Sequence, residues 1–496
     1  MQRRLYDKMM IRHYPYYFKK CKEKFLVVNL VGEHIFLSPK DFENFITERY
    51  ENISEYAKIK LYSRCFISDI KEQGLVEDLL AVKLRSRKAF LNYFTSLHMV
   101  VLTLRCNCCC DYCHASSKDL SSNETDMSLE TAKSVLDMIL QSPSSDIKIE
   151  FQGGEPSLNW PVLRYFVLEG EKRIRKTPTR HLSFVICTNL FDISDEQFEF
   201  LQAHHICIST SCDGPKHFYD LHRKARDSTS AFDKFMSGLQ RARSMKKNED
   251  INALLTVTKD NLPFLIDVVN FYVRLGFHSV FIRALNPYGY AKKNKADLNY
   301  SMESFVEQYS KALLYIIELN KKGIFFIESY ASLLFQRIMT PFSTGFVDLQ
   351  SPAGAGISGA IYYYNGDVYP ADEARMLATM GNYSFKMGNV FNNTYMEIFY
   401  GDIVKKLVLN SCVESMPGCS TCPYSPYCGA DPIRYYAESK DILGKRYDSS
   451  FCKKNKGIID ILFKIIEEND PDTMAVLWSW IFHRPVEEWQ CGKAKE

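Results

Sequence analysis

Residues 104–114 read LRCNCCCDYCH, and the spacing of these cysteines decides how the rest of the chain is read. Cys106, Cys110 and Cys113 form a C-x3-C-x2-C triplet. Three thiols this close on one loop can hold three corners of a 4Fe–4S cube and leave the fourth iron without a protein ligand. Zinc prefers a closed set of four nitrogen or sulfur ligands, which three close thiolates suit less well. Cys108 and Cys109 make the register ambiguous, because Cys106, Cys109 and Cys113 also span the loop. We take Cys110, which gives the 3-then-2 spacing. It also places Tyr112 directly before the last ligand, where its ring can lie against an adenine. A cysteine-rich surface loop or a zinc knuckle is the alternative.

Away from this loop the composition is that of a globular enzyme, 46% hydrophobic and 24% charged. At roughly 150 residues per domain, 496 residues make about three domains. A net charge of +3 and a pI near 8.0 fall below the value of about 9 that flags a nucleic-acid-binding domain, so no nucleic acid is expected as a partner. The 16 cysteines are far fewer than the roughly 8–10% of a disulfide scaffold, and they cluster at 106–113 and 412–452, as metal ligands do. The opening MQRRLYDKMMIRHY is basic with no apolar segment behind it, so no signal peptide is expected. No run of about 18 apolar residues occurs, so no membrane span is expected. The chain reads as a protein of a reducing cytoplasm.

Near the amino terminus, two apolar runs flank Gly32-Glu33 within 25–37 and predict a β-hairpin. Ser38-Pro39 then opens a helix over 40–48. From residue 97 strands and helices alternate. Strands are predicted over 98–105, 147–151, 182–188, 206–211, 251–258 and 280–285. Helices follow them over 128–140, 159–176, 194–203, 230–245, 262–275 and 302–320, the third opened by a Ser194/Gln197 capping box. Six β-then-α units imply an α/β fold with a parallel sheet and right-handed crossovers, a partial (β/α)6 barrel whose chemistry sits at the carboxyl ends of its strands.

Candidate residues fall at those ends. Gly153 and Gly154 let backbone approach a ligand closely, and Glu155 can accept hydrogen bonds from a ligand ammonium. Asn189 ends the third strand and Ser211 the fourth. Arg223 lies twelve residues after Ser211, and a guanidinium can grip a carboxylate with two parallel bonds. Thr258 and Arg283 are further cavity candidates. A hairpin turning at Asn365-Gly366 is predicted over 361–369, and C-x6-C-x2-C-x5-C follows as Cys412, Cys419, Cys422 and Cys428, with Cys452 beyond. Residues 458–482 are apolar and predict helix.

The triplet with its aromatic is the signature of radical S-adenosylmethionine (SAM) enzymes, and QGGEP at 152–156 resembles that family's GGEP motif. The resemblance implies that the open iron chelates the amino and carboxylate groups of SAM. The reduced cube then cleaves SAM to a 5′-deoxyadenosyl radical. It implies that Gly153, Gly154 and Glu155 contact the SAM amino group, with Asn189 near its methionyl or ribose part. SCDGP with Arg223 resembles the SLDGP…R pattern of peptide maturases, which implies that Ser211 and Arg223 bind the SAM carboxylate and ribose. Tyr219 stands where a histidine is usual.

The late cysteines resemble a SPASM domain, an auxiliary iron–sulfur module. Carried over, Cys419, Cys422, Cys428 and Cys452 ligate one cube, while the ligands of a second cube fall on Ser351, Ala371 and Pro432. One auxiliary 4Fe–4S cluster is therefore expected, not two, with a single structural zinc on the four cysteines as its rival. Asp372 and Glu373 sit where the missing cube would be, as candidate substrate or proton-accepting groups.

Over about residues 25–460 the chain is similar to the His-Xaa-Ser system radical SAM maturases, in stretches such as LVVNLVGEHIFLSPKDF, GDVYPADEARML and PGCSTCPYSPYCGADP. This implies a ribosomally made precursor peptide of His-Xaa-Ser repeat type as substrate, and an electron donor such as flavodoxin or ferredoxin. The expected divisions are a winged-helix-like hairpin/helix element at 1–95, either a leader-peptide recognition element or a structural extension that caps the barrel, and the radical SAM barrel at 96–330. The auxiliary domain follows at 340–460 and a helix and tail at 461–496. The alternatives are a radical SAM enzyme acting on another protein or a small molecule, and an iron–sulfur redox or scaffold protein with no turnover.

Overall fold

The structure, a computed structural model, describes residues 10–245 and 251–489; the outermost parts of the predicted 1–95 and 461–496 segments lie outside the described residues. Five short strands precede the barrel. They are β1 (Ile11–His13), β2 (Tyr16–Cys21), β3 (Lys24–Asn29), β4 (His34–Leu37) and β5 (Ile67–Asp69). The predicted hairpin is β3 and β4, and β2 adds to it to give the antiparallel order β2-β3-β4, while β1 pairs with β5. Gly32 makes the turn at φ +79°, and Asn29 Oδ1 accepts the N–H groups of Val31 and Glu33 at 3.2 and 3.0 Å. Ser38 caps the helix Pro39–Ile46 as expected, accepting the Asp41 N–H at 3.1 Å.

The six predicted barrel strands are present as β6 (Leu97–Thr103), β7 (Asp146–Gly153), β8 (His181–Cys187), β9 (Cys207–Ser211), β10 (Ile251–Thr256) and β11 (Ser279–Arg283). Val100, Val101 and Leu102 on β6 are wholly buried, as a strand covered on both faces requires. The sheet is larger than predicted. A short strand β12 (Ile327–Glu328) joins β11, and β13 (Gly359–Tyr362) pairs in parallel with β6 at the other edge. β13 turns through Gly366 into β14 (Asp367–Tyr369), which pairs with β15 (Gly388–Asn389), so the whole order is β12-β11-β10-β9-β8-β7-β6-β13-β14-β15. The hairpin expected within a separate auxiliary domain therefore continues the barrel sheet.

The apolar segment 458–482 forms two helices, not one. Ser450–Glu468 ends at Asn469 with a left-handed φ of +49°, and Asp470 caps Pro471–Phe482. Proline cannot continue the first helix but suits the first position of the second. The second helix buries Trp480 completely. No helix among the described residues is long and apolar enough to cross a membrane.

The amino-terminal sheet is fastened to the segment between Cys422 and Cys428. Tyr427 donates its hydroxyl to Gly32 O at 2.9 Å. Arg87, at the end of the helix Gln73–Arg87, donates to Val31 O at 2.5 Å, Arg337 O at 2.9 Å and Pro426 O at 3.3 Å. Lys19 on β2 reaches Tyr424 Oη at 3.0 Å. Arg87→Met keeps the side-chain length but removes the donors, leaving buried carbonyls without partners. Stability should fall by about 2–3 kcal/mol in urea unfolding, and limited proteolysis should open sites before residue 96 first.

Candidate functional site

The carboxyl ends of the barrel strands open into a cavity of about 620 Å³, closed on its far side by the 345–376 and 431–454 segments. One wall is the cysteine loop. Cys106, Cys108, Cys110 and Cys113 all line it. Cys109 does not; its Sγ donates to Lys224 O at 3.5 Å and faces a separate solvent-open pocket. The register through Cys110 is thus the one in which three sulfurs share a void. Backbone bonds from distant segments hold the loop: Cys106 N–H to Lys118 O at 3.1 Å, Cys109 N–H to Lys224 O at 2.8 Å and Asp111 N–H to His222 O at 2.9 Å. The neighbouring Cys108 thiol, and then Arg223, lower the Cys110 pKa, which favours a thiolate. Among the described residues no three His, Cys, Asp or Glu side chains are grouped to hold a single metal ion.

Gly153 and Gly154 also line the cavity, and their first constraint is the cysteine loop itself. A Cβ on either would lie 2.2 Å from a carbonyl oxygen, that of Thr103 or of Arg105. Glu155 differs from its predicted use. It is buried away from the cavity, and its two oxygens accept the N–H groups of Ser157 at 3.2 Å and Asn189 at 2.9 Å. Its carboxylate is spent on the protein's own backbone rather than on a ligand ammonium, so it is a positioning residue for Asn189. Asn189 faces the cavity, with Nδ2 donating to Asn107 Oδ1 at 2.7 Å and lying 3.8 and 3.6 Å from the sulfurs of Cys106 and Cys108.

Ser211, Tyr112 and Arg223 line the same space. They are organised by a residue that sequence reasoning passed over, Asp213 in the SCDGP stretch. Its Oδ2 accepts the Tyr112 hydroxyl and, at 2.9 Å, Arg223 Nε, and its Oδ1 accepts the Thr256 N–H at 3.2 Å. Arg223 is stacked between the rings of Tyr112 at 5.4 Å and Tyr219 at 5.5 Å. With Nε occupied, only its two terminal nitrogens are left for a ligand. Thr258 does not reach the cavity; Thr256 and Arg283 do, because β10 ends two residues earlier than expected.

The opposite wall is ionic. Asp372 is held by Arg375, whose Nε and Nη2 both donate to Oδ1 while Nη1 donates to Ala115 O at 3.3 Å. Glu373 lies 3.9 Å from Arg283. Burial, followed by the charges of Asp348, Asp431 and Asp372, pushes the Glu373 carboxyl up to about 8. Burial and Asp348 push Asp431 up to about 6. Asp431 stands in the quoted GADP stretch and was readable as a candidate; nothing in the sequence around Asp348 marks it.

Cys419, Cys422, Cys428 and Cys452 come within electrostatic reach of one another. Arg446 donates to Cys419 Sγ at 2.8 Å and Asn455 to Cys428 Sγ at 3.5 Å. Cys412 lies instead beside Glu414 and Lys88, its Sγ donating to Val408 O at 3.5 Å. Ser351 is taken up by Glu414 at 2.5 Å and by the Val413 N–H at 3.0 Å. Ala371 and Pro432 begin helices and offer no side-chain ligand.

Residues 100–267 match the family model of the Radical SAM superfamily. An uncharacterised protein of Methanocaldococcus jannaschii is 28% identical over 229 residues, 45% of this chain and 75% of that one. The cysteine-type anaerobic sulfatase-maturating enzyme of Clostridium perfringens is 25% identical over 310 residues, 59% of this chain and 77% of that one. Among solved structures, anSMEcpe with bound AdoMet superposes with a TM-score of 0.63 at 18% identity, covering 78% of this chain and 99% of that one. Streptococcus suis SuiB bound to precursor peptide SuiA gives 0.51 at 15% identity, covering 89% and 100%. The chain thus carries a radical SAM domain, which implies a 4Fe–4S cluster and S-adenosylmethionine, on a mostly parallel α/β sheet of the fold those structures share.

Glu373 generates a pH test. An unfolded glutamate ionises near pH 4.3, so between there and about 8 the folded chain holds a proton that the unfolded chain has lost. Stability from this group is present below pH 4 and is lost as the pH rises through that window. Glu373→Gln should raise the unfolding midpoint by roughly 2–4 °C at pH 8.5 and change it little at pH 4.5. Scanning calorimetry at the two values decides it, and an equal shift at both would remove the buried proton.

Proposed function

We propose that this chain is a radical SAM peptide maturase that oxidatively modifies or crosslinks side chains of a ribosomally synthesised peptide. The observation that carries the reading is the single cavity in which the sulfurs of Cys106, Cys110 and Cys113 face the ionic wall of Asp372 and Glu373. The donor set fits a cube with one open corner: three thiols on one loop with a void beside them. When bound, cluster and SAM together supply a 5′-deoxyadenosyl radical that takes hydrogen from the substrate.

The protein's own residues bind and orient. Gly153 and Gly154 offer backbone to the SAM amino end, with Asn189 beside them. Arg223 offers its two terminal nitrogens to a carboxylate or ribose, and Ser211 its hydroxyl. Tyr112 stays near the adenine position by its bond to Asp213. Asp372 keeps Oδ2 free of Arg375 and accepts the substrate proton, while Glu373, neutral near pH 7, donates a hydrogen bond to the substrate. Cys419, Cys422, Cys428 and Cys452 hold one auxiliary 4Fe–4S cluster.

The peptide is of His-Xaa-Ser repeat type. Its leader adds a strand to the edge of the β2-β3-β4 sheet, where main-chain bonds give affinity. The SuiB relative, which shares the fold, is solved with a precursor peptide, and this favours a peptide over a small molecule. A flavodoxin or ferredoxin supplies the electron, in the cytoplasm.

Reduced, anaerobic protein with SAM should release 5′-deoxyadenosine. Alanine at Cys106, Cys110 or Cys113 should reduce this to background, whereas Cys109→Ala should retain it; equal loss at Cys109 would overturn the register. Cys422→Ala should lower bound iron from about eight to about four per chain, as one of two cubes is lost, without stopping SAM cleavage. Mass spectrometry of a co-expressed neighbouring repeat peptide should show hydrogen loss in the repeat, and a peptide without its leader should not be modified. Modification of both alike would sink the leader-guided reading.

A further inference from the structure

The cysteine loop turns four sulfurs toward the cavity, one more than a cube with an open corner uses. Cys108 is only 2% exposed. Its N–H donates to Cys106 Sγ at 3.3 Å, and it lines the same cavity as Cys106 and Cys110. Asn189 Nδ2, 3.6 Å away, faces its sulfur as it faces that of Cys106. A bridge from Cys108 to Ala225 fixes the backbone, so Cys108 points inward while Cys109, the next residue, points outward to Lys224. Space-filling alone needs only a small apolar side chain here. A sulfur set among sulfurs, with an amide donor aimed at it, has the surroundings of a metal ligand.

We propose that Cys108 is a fourth, displaceable thiolate that holds the SAM-binding iron of the cube until SAM arrives. This rests on Cys106, Cys110 and Cys113 as the permanent ligands. On exchange the bond between Cys108 Sγ and iron breaks, and the amino nitrogen and a carboxylate oxygen of SAM bind in its place. The proton that the SAM ammonium gives up goes to Cys108 Sγ, and no electron moves. Asn189 faces Cys106 Sγ and Cys108 Sγ alike, so its amide stays beside the thiol once it is released. Two consequences follow. The apparent affinity for SAM is reduced by the fraction of chains in which Cys108 occupies the iron. The idle cube also keeps four protein ligands and resists losing its exposed iron to oxidation.

The test uses full-length, anaerobically reconstituted wild type, Cys108→Ala and Cys108→Ser, with electron paramagnetic resonance of the reduced protein followed through a SAM titration. Only the loop cluster responds to SAM, so difference spectra isolate it from the auxiliary cube. If Cys108 holds the iron about nine-tenths of the time, both variants should bind SAM about tenfold more tightly than wild type. Their SAM-free spectra should differ from wild type and their SAM-bound spectra should not. Under mild oxidation without SAM both variants should form more three-iron cluster, and added SAM should abolish the difference. Cyanide, a small ligand for an open iron, should shift the SAM-free spectrum of the variants at about a tenfold lower concentration than it does that of wild type.

Unchanged SAM affinity and unchanged SAM-free spectra in both variants would overturn the proposal while leaving the three-cysteine cluster intact. Wild-type behaviour of Cys108→Ser alone would assign the residue to packing and overturn it too. Should neither variant fold, a SAM-free wild-type cluster that shows the exchangeable deuterium coupling of an iron-bound water in heavy water would count against it by itself. A wild-type chain with no SAM-sensitive cluster would instead remove the ligand assignment on which it rests.

Discussion

The end of β7 lies against the start of the cysteine loop, and this contact sets everything around the cavity. Gly154 N–H donates to Thr103 O at 2.8 Å and Glu155 N–H to Arg105 O at 2.7 Å. No side chain fits between the two backbones, since a Cβ at Gly153 or Gly154 would overlap carbonyl oxygens. A register shift between Val101 and Thr103 where β6 runs beside β7 bends the chain into the loop, as bulges do next to functional sites. The glycines serve two surfaces at once: one side carries the loop and the other faces the void. From the same turn Glu155 reaches across to fix Asn189, so the third strand end is placed by the second.

Charge is arranged differently on the two sides of the cavity. Near the loop every buried charge has a partner: Asp213 is matched by Arg223 and by the Tyr112 hydroxyl. An uncompensated charge there would be costly, and the pairing keeps Arg223 fixed between two rings. On the far wall the acids outweigh the cation nearest them. Burial, with the neighbouring acids, therefore keeps Glu373 protonated near neutral pH, while Asp372 is paired with Arg375. The two adjacent acids thus meet different surroundings, one a guanidinium and the other a buried group of carboxyls.

The amino-terminal sheet is joined to the segment between Cys422 and Cys428. Tyr424, Pro426 and Tyr427, between Cys422 and Cys428, touch Lys19, Arg87 and Gly32 respectively. A strand added at β2 would lie on an element braced by the Cys422–Cys428 segment. The hairpin β13–β14 ties the same region into the barrel sheet, so movement of any one part is resisted by the other two.

The alternation of strands and helices, the caps at Ser38 and Ser194, and the C-x3-C-x2-C spacing were legible in the sequence, because each depends on residues close together in the chain. The places of Gly153, Gly154, Asn189 and Ser211 at strand ends followed from that alternation, while Arg223 comes directly after the helix Lys216–His222. What the sequence could not reveal was direction. Cys108 and Cys109 are adjacent and chemically identical, yet one faces the cavity and the other faces away because Ala225 and Lys224, more than a hundred residues later, fix the backbone. Glu155 turned inward because Asn189 was there to receive it. Asp213 and Asp431 took their roles from Arg223 and Glu373, brought near by the fold. Spacing along a chain is a local property, but which way a side chain points is decided by whatever folds against it.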